Sequence, residues 1–317
     1  MLRRQFLRTA AGAAYSLLAA PPNGKKFDGI FPIMQTPFTE SDQLDLDVLA
    51  SQVRFLDRVG VQGVVWPQLA SEYATLSLDE RMKGAETVMA AGEKLKPAVV
   101  LGVQAGDTET AVRLARHAAG LGPDAIIALP PGGGKDLAGV SVYYQAIAQA
   151  CDLPVVVQTI GDRSVEFTIE LARRNPTMRY IKDEAGQTLP RLSEYQARGK
   201  DLGLVLFTGG HGRTFIDELR RGSSGTMPAA SFADLYVSVW QAWRAGRREE
   251  AMEKFGPVAF LVHLAQAYGI SGLKYFLQLR GVFKNSRCRT ESPGRLDSEA
   301  RSSIEEAYRF VERRLRG

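Results

Sequence analysis

The feature that most constrains this chain is an alternation repeated eight times: a short apolar or β-branched run, then a longer segment with helical spacing. The runs fall at residues 29–36, 63–66, 98–103, 125–129, 154–159, 178–182, 203–208 and 225–227. The segments between them fall at 45–59, 77–93, 108–121, 142–150, 168–175, 189–198 and 213–221. This pattern predicts parallel strands joined by crossover helices, because parallel neighbours cannot be linked by a tight hairpin. The starts recur at roughly the 20–35-residue length of a βα unit, and no Pro/Ser-rich linker interrupts them. One (β/α)8 TIM barrel over residues 27–230 is therefore predicted, ahead of a doubly wound open sheet. Helical segments follow at 232–245, 248–268, 270–279 and 298–315. One helix would suffice to close a barrel, so residues 231–317 are read as closing helices with a carboxy-terminal helical appendage. Residues 285–295 are polar and read as a loop.

With 317 residues, 45% hydrophobic and 24% charged, the chain has ample apolar material for such a core. The formal charge is +5, and Arg3, Arg4 and Arg8 supply three of those charges. The remaining bias is too weak to argue for a nucleic-acid partner. Cys151 and Cys288 cannot make a metal cluster and read as reduced thiols. His117, His211 and His263 share no ligand spacing and read as surface or packed residues. No metal and no organic cofactor is expected.

The first 22 residues stand apart. Arg3-Arg4-x-Phe6-Leu7 is followed by an apolar stretch over residues 9–20 and then Pro21-Pro22, the order of an export signal, and it resembles the twin-arginine type. The stretch is shorter than the roughly 20 residues a bilayer span needs. A removable address leading to the periplasm is expected, with no stable membrane anchor; a basic tail on a cytoplasmic protein is the alternative.

In a barrel the chemistry sits at the carboxyl ends of the strands. Lys182 ends the sixth run, after Tyr180-Ile181, where its amine would point into the barrel mouth. Burial disfavours the ammonium, and a free amine can attack a ketone to form an iminium, an electron sink that makes the neighbouring carbon acidic. Aldol addition, aldol cleavage or loss of water then becomes accessible. The plainer reading is an ion pair of Lys182 with Asp183 or Glu184. Arg163, just beyond the fifth run, offers a bidentate fork for a carboxylate, or is a surface charge. Ser71, on the loop leaving the second run, offers a hydroxyl and neighbouring amides, while Glu72 orients that loop. A helix-start cap is the alternative for both. The glycines at 132–134 and 209–212 lack phosphate-loop spacing; the second group reads as a tight turn that lets a substrate approach backbone.

Together these segments resemble the dihydrodipicolinate synthase / N-acetylneuraminate lyase family of Schiff-base barrels, from about Phe27 to Leu279. Gly29-Ile30-Phe31-Pro32-Ile33-Met34-Gln35-Thr36-Pro37-Phe38 is similar to the family's opening strand and its T-P-F/M turn. Glu72-Tyr73-Ala74-Thr75-Leu76-Ser77-Leu78-Asp79-Glu80-Arg81 is similar to the segment after its G-T-T-G-E loop. Leu153-Pro154-Val155-Val156-Val157 matches the strand leading to its catalytic tyrosine. Tyr180-Ile181-Lys182-Asp183-Glu184-Ala185-Gly186 resembles its G-[IV]-K-[DE]-x-[ST]-G lysine strand, and Gly222-Ser223-Ser224-Gly225-Thr226-Met227-Pro228 the turn of its eighth strand. The order and spacing of these segments make the likeness specific.

The resemblance implies Lys182 as the Schiff-base former, with Ser71, Glu72, Arg163 and Met227 on the substrate and homodimers or homotetramers of barrels. The chain also departs from the family. Gln68-Leu69-Ala70-Ser71-Glu72 stands where the family has G-T-T-G-E, and Gln158-Thr159-Ile160-Gly161-Asp162-Arg163 stands where it has Y-N-x-P-x-R. The tyrosine that members contribute across a dimer falls near Pro131-Gly132. Gln158 can align an adduct, but an amide cannot shuttle protons at neutral pH. That argues against 4-hydroxy-tetrahydrodipicolinate synthase activity proper, and it leaves Glu72, Tyr73 or an ordered water to carry protons. The expectation is a Schiff-base lyase (aldolase, synthase or hydro-lyase) acting on a small 2-oxo acid, pyruvate or a 2-keto-3-deoxy sugar acid. The rival is a non-catalytic binder of a 2-oxo acid or sugar acid on the same barrel.

Overall fold

The computed structural model describes residues 23–134, 136–290 and 296–315, so the export signal expected over residues 1–22 lies outside the described residues. Eight strands alternate with helices: β1 (Gly29–Ile30), α1 (Leu46–Arg58), β2 (Gly63–Trp66), α2 (Leu78–Gly92), β3 (Ala98–Gly102), α3 (Thr108–Leu121), β4 (Ala125–Ala128) and α4 (Leu137–Gln149). The alternation continues with β5 (Val155–Thr159), α5 (Val165–Arg174), β6 (Tyr180–Asp183), α6 (Thr188–Arg198), β7 (Val205–Thr208), α7 (Phe215–Arg220) and β8 (Gly225–Thr226). All strand pairs are parallel, in the order β1-β8-β7-β6-β5-β4-β3-β2. The circle closes where Ile33 bridges to both Val65 and Ala229, and where the Val65 N–H donates to the Pro32 carbonyl at 3.0 Å. The result is a (β/α)8 TIM barrel.

Pleating divides the strand side chains between two cores. Val65, Val100, Ile127, Val156, Tyr180 and Phe207 fill the barrel interior. Val64, Trp66, Leu101, Ile126 and Val157 face outward to the helical ring. Both faces are covered, so the strands read as unbroken apolar runs rather than alternating ones.

Local chemistry sets the helix boundaries. Ser77 and Glu80 form a reciprocal capping box at the start of α2, and Asp45 and Asp107 cap α1 and α3. Helix α5 begins three residues before its predicted start because the Ser164 hydroxyl accepts the Phe167 N–H. Helix α4 begins five residues early, with Asp136 as its cap. The first run is regular for only two residues: Pro32 supplies no N–H, and the chain continues through single bridges.

Beyond the barrel lie α8 (Ala233–Arg244), α9 (Arg248–Leu279) and α10 (Ser298–Leu315). Helix α9 is interrupted at Gly269 (φ 58°, ψ −146°), which separates the two segments predicted from the sequence. Only glycine adopts that backbone readily. Residues 284–290 then form a strap tied to the β1 and β2 loops: Lys284 pairs with Asp45 at 3.0 Å, Asn285 donates to the Phe38 carbonyl, and the Arg289 guanidinium binds the Glu80 carboxylate.

Candidate active site

The pleat that fills the barrel also aims its reactive end. Tyr180 points inward and Ile181 outward against α5 and α6, so Lys182 points inward at the carboxyl end of β6. Val156 and Gln158 repeat the pattern on β5, and the register sets Gln158 directly beside Lys182. Both side chains are almost wholly removed from solvent.

Lys182 borders a cavity of about 360 Å³, a size suited to a small ligand. Its walls come from separate elements: Gln68, Leu69 and Ala70 after β2, Glu184 after β6, Gly210 and His211 after β7, and Met227 and Ala229 at β8. Gln266 and Ile270, on either side of the Gly269 break, cover the remaining side. A larger hollow of about 800 Å³ lies under the strap, lined by strap and helix residues with Glu40 and Leu296, and by none from the strands. The inward strand-end lysine, Lys182, borders the smaller cavity.

Glu184 is the centre of the polar network there. One of its carboxylate oxygens lies 3.2 Å from the Lys182 Nζ and also accepts from the Gln158 side-chain amide; the other accepts the Gly210 N–H at 2.8 Å. Burial pushes the Glu184 carboxyl up, but the Lys182 ammonium and these donors outweigh it and hold the group below its ordinary value. A Cβ built on Gly209 would sit 1.9 Å from a Glu184 carboxylate oxygen, so this glycine clears the space the carboxylate occupies. His211, in a left-handed conformation (φ 61°), is pulled down by burial against an opposing pull from Glu184. Burial therefore favours the neutral form of its imidazole.

Buried carboxamides shape the opposite wall. The Gln68 amide donates to Gln104 Oε1 at 2.7 Å, and the Gln104 amide donates to the Pro67 carbonyl at 2.8 Å. Arg81 fixes the end of β3 by donating to the Gln104 and Gly102 carbonyls, and burial draws its pKa down to about 10. Gln68 Oε1 and Gln158 Oε1 have no hydrogen-bond partner among the described residues. Buried acceptors of this kind suit a ligand that carries hydroxyl or N–H donors.

The six residues singled out from the sequence divide. Lys182 and Met227 line the cavity, and Gln158 reaches it through Glu184. Ser71, Glu72 and Arg163 are not among its lining residues. The Ser71 hydroxyl is spent on backbone, donating to the Met34 carbonyl of the first run and accepting the Gln68 N–H of its own turn. Glu72 pairs with Lys274 and accepts the Arg289 and Thr290 N–H groups at 2.8 and 2.7 Å. That corrects the expectation of Glu72 as a proton carrier, because its carboxylate anchors the strap. Arg163 donates to the Ile160 carbonyl at 2.9 Å. Asp183 binds Arg191 at 2.7 Å, which leaves Glu184 as the ion-pair partner of Lys182.

The sequence marks Glu184 only as an ion-pair partner of Lys182, and His211 only as a surface or packed residue within a turn open to substrate. The two-residue period from Lys182 is the signal for Glu184, and the glycine turn around His211 is the signal that places it near the barrel mouth. Among the described residues no three or more His, Cys, Asp or Glu side chains are grouped to hold a metal ion, and no helix is long and apolar enough to cross a membrane.

Residues 26–308 match the profile of the Dihydrodipicolinate synthetase family. The chain belongs to that family. It is 30% identical over 267 residues to the 4-hydroxy-tetrahydrodipicolinate synthase of Rhizobium meliloti (strain 1021), covering 80% of this chain and 88% of the relative. It is 27% identical over 277 residues to a protein of Escherichia coli (strain K12) named a probable 2-dehydro-3-deoxy-D-pentonate aldolase, covering 83% of this chain and 91% of the relative. Its fold superposes on the crystal structure of dihydrodipicolinate synthase from Rhodopseudomonas palustris with a TM-score of 0.81 at 24% identity, over 89% of this chain and 97% of that one. A Schiff-base lyase fits these relatives; nothing favours the non-catalytic binder.

Proposed function

We propose that this chain is a Schiff-base lyase acting on pyruvate or a 2-keto-3-deoxy sugar acid, with Lys182 as the iminium-forming amine. One observation carries the reading: a single inward lysine at the end of β6 borders a small cavity at the mouth of a TIM-type barrel, with a carboxylate 3.2 Å from its amine. The amine attacks the ketone carbon, water leaves, and the iminium withdraws electrons from the bond to be made or broken. Gln158, in register with Lys182, aligns the adduct. The unpartnered oxygen of Gln68, on the cavity wall, suits a substrate hydroxyl, which favours a hydroxylated acid over an apolar one. The glutamine at the tyrosine position turns the proposal away from 4-hydroxy-tetrahydrodipicolinate synthesis proper.

The twin-arginine-like residues 1–22 support export to the periplasm, and the family supports a homodimer or homotetramer. A monomeric mass in solution would remove the second statement.

Borohydride trapping tests the central reading. Incubation with pyruvate or a 2-keto-3-deoxy sugar acid, then reduction, is expected to leave a ketone-dependent adduct on the Lys182 peptide by mass spectrometry. A folded sample that gives no adduct with any 2-oxo acid, beside a competent control enzyme, rejects it.

A further inference from the structure

We propose that Glu184 is the acid–base catalytic residue of this site, moving the protons that Gln158 cannot. The inference rests on the Schiff-base reading above and goes beyond it by naming the proton carrier. The loss of tyrosine at position 158 leaves a lysine able to form an iminium but no group at that position able to take up or release a proton near neutral pH.

Three observations single out Glu184. It is the one carboxylate among the described residues lining the cavity, and it lies 3.2 Å from the atom that forms the iminium. The other nearby acids are committed elsewhere: Asp183 to Arg191 and to the Thr159 hydroxyl, Glu72 to Lys274 and the strap. Finally, the carboxylate is aimed rather than loose. The Gly210 N–H holds one oxygen, Gln158 holds the other, the Glu184 N–H donates to the Thr159 hydroxyl at 3.1 Å, and Gly209 leaves the space it fills.

The proton steps balance on these two residues. The Lys182 ammonium passes a proton to Glu184, and the free amine adds to the ketone carbon. Glu184 returns that proton to the carbinolamine hydroxyl, which leaves as water and gives the iminium. The carboxylate then removes a proton from the carbon next to the iminium, giving the enamine and a neutral Glu184. When the enamine adds to an aldehyde carbon, the new alkoxide takes that proton, and water hydrolyses the iminium to release product. Cleavage runs the same steps in reverse, and no oxidant or reductant is consumed.

The experiment separates adduct formation from proton removal. Full-length protein is given pyruvate in D2O, and deuterium entering the methyl group is followed by NMR beside borohydride trapping. Glu184→Gln keeps the side-chain volume, and the Gln158 amide can rotate to meet it. In this variant the adduct forms more slowly, but the amount trapped once it has reached equilibrium at saturating pyruvate is expected to stay within about threefold of wild type, while exchange falls by about 100-fold or more. Glu184→Ala is expected to lose exchange likewise and to recover part of it with added formate, which fits the vacated space as a small carboxylate. Exchange at the wild-type rate in Glu184→Gln, with the adduct intact, would overturn the proposal and leave the Schiff-base reading standing. Loss of the equilibrium adduct together with exchange, without formate rescue, assigns Glu184 to holding Lys182 and also overturns it. No adduct in wild type removes both readings.

Discussion

Two lysine–glutamate pairs, Lys182–Glu184 and Lys274–Glu72, use the same two functional groups for different ends. Lys274 is fully buried; its amine pairs with Glu72, donates to the Arg287 carbonyl at 2.7 Å and lies 4.4 Å from the centre of the Phe38 ring. Glu72 in turn accepts two strap N–H groups and adopts a left-handed backbone (φ 57°) that a non-glycine residue holds only when its surroundings demand it. That pair makes its contacts with the strap and Phe38, and neither residue lines the cavity beside Lys182. Lys182 and Glu184 sit against open space instead, and 21% of the Glu184 side chain remains exposed. Pairing alone does not mark a reactive lysine; a pair that borders a cavity leaves room for a third reactant.

Breaking each pair in turn gives the largest contrast. Lys182→Met is expected to abolish the borohydride adduct completely with little change in thermal midpoint, since Glu184 keeps its bonds to Gly210 and Gln158. The same variant sharpens the electrostatics. In wild type the Glu184 carboxyl is held below its ordinary value, so its contribution to stability is present above that value and is lost as pH falls through the depressed one. Without the ammonium the strongest opposing pull on the carboxyl is lost and burial counts for more, so the stability lost on acidification is expected to shrink. Urea midpoints across mildly acidic pH should therefore change slope between wild type and Lys182→Met; parallel slopes would mean that Lys182 does not set the Glu184 titration.

Lys274→Met should act the other way. It strands the Glu72 carboxylate in the interior and is expected to cost about 3–5 kcal/mol in denaturant unfolding. The folded fraction should still form the adduct. Unchanged stability, or a lost adduct in protein shown to be folded, would collapse the distinction between the two pairs.

Smaller effects refine it. Gly209→Ala puts a methyl group where the Glu184 carboxylate lies, and methyl-exchange activity is expected to fall about tenfold, equivalent to ~1.4 kcal/mol in barrier height. Ser77→Ala removes a cap at the start of α2 and should lower stability by about 1 kcal/mol, with adduct formation unchanged. If the cap variant disturbed trapping more than the glycine variant, the site would be governed by the helical ring rather than by the β6 and β7 loops.

Much of the barrel was legible because each strand is buried on both faces and each helix on one, so apolar runs and helical spacing survive in the sequence. Boundaries were less legible. The starts of α4 and α5 are set by Asp136 and Ser164, caps whose side chains bond only after the chain has turned into the helix. Lys182 was readable because an ammonium at the end of a buried apolar strand is costly to desolvate, so its presence there points to a partner or to chemistry. Ser71 and Glu72 were not, because their hydroxyl and carboxylate are spent on Met34 and on a strap more than two hundred residues later in the chain. No local window contains those partners.

The sequence by itself determined the alternation, the parallel barrel and the lysine at the end of the sixth strand, since periodicity and burial are properties of short segments. The tertiary structure decided which carboxylate serves that lysine. Asp183 and Glu184 are adjacent in sequence, and pleating sends them apart, the first to Arg191 outside the barrel wall and the second to the cavity. It also decided that Glu72 is an anchor, because the charge of a residue is written in its side chain, while the partner that uses the charge is chosen by how distant segments pack.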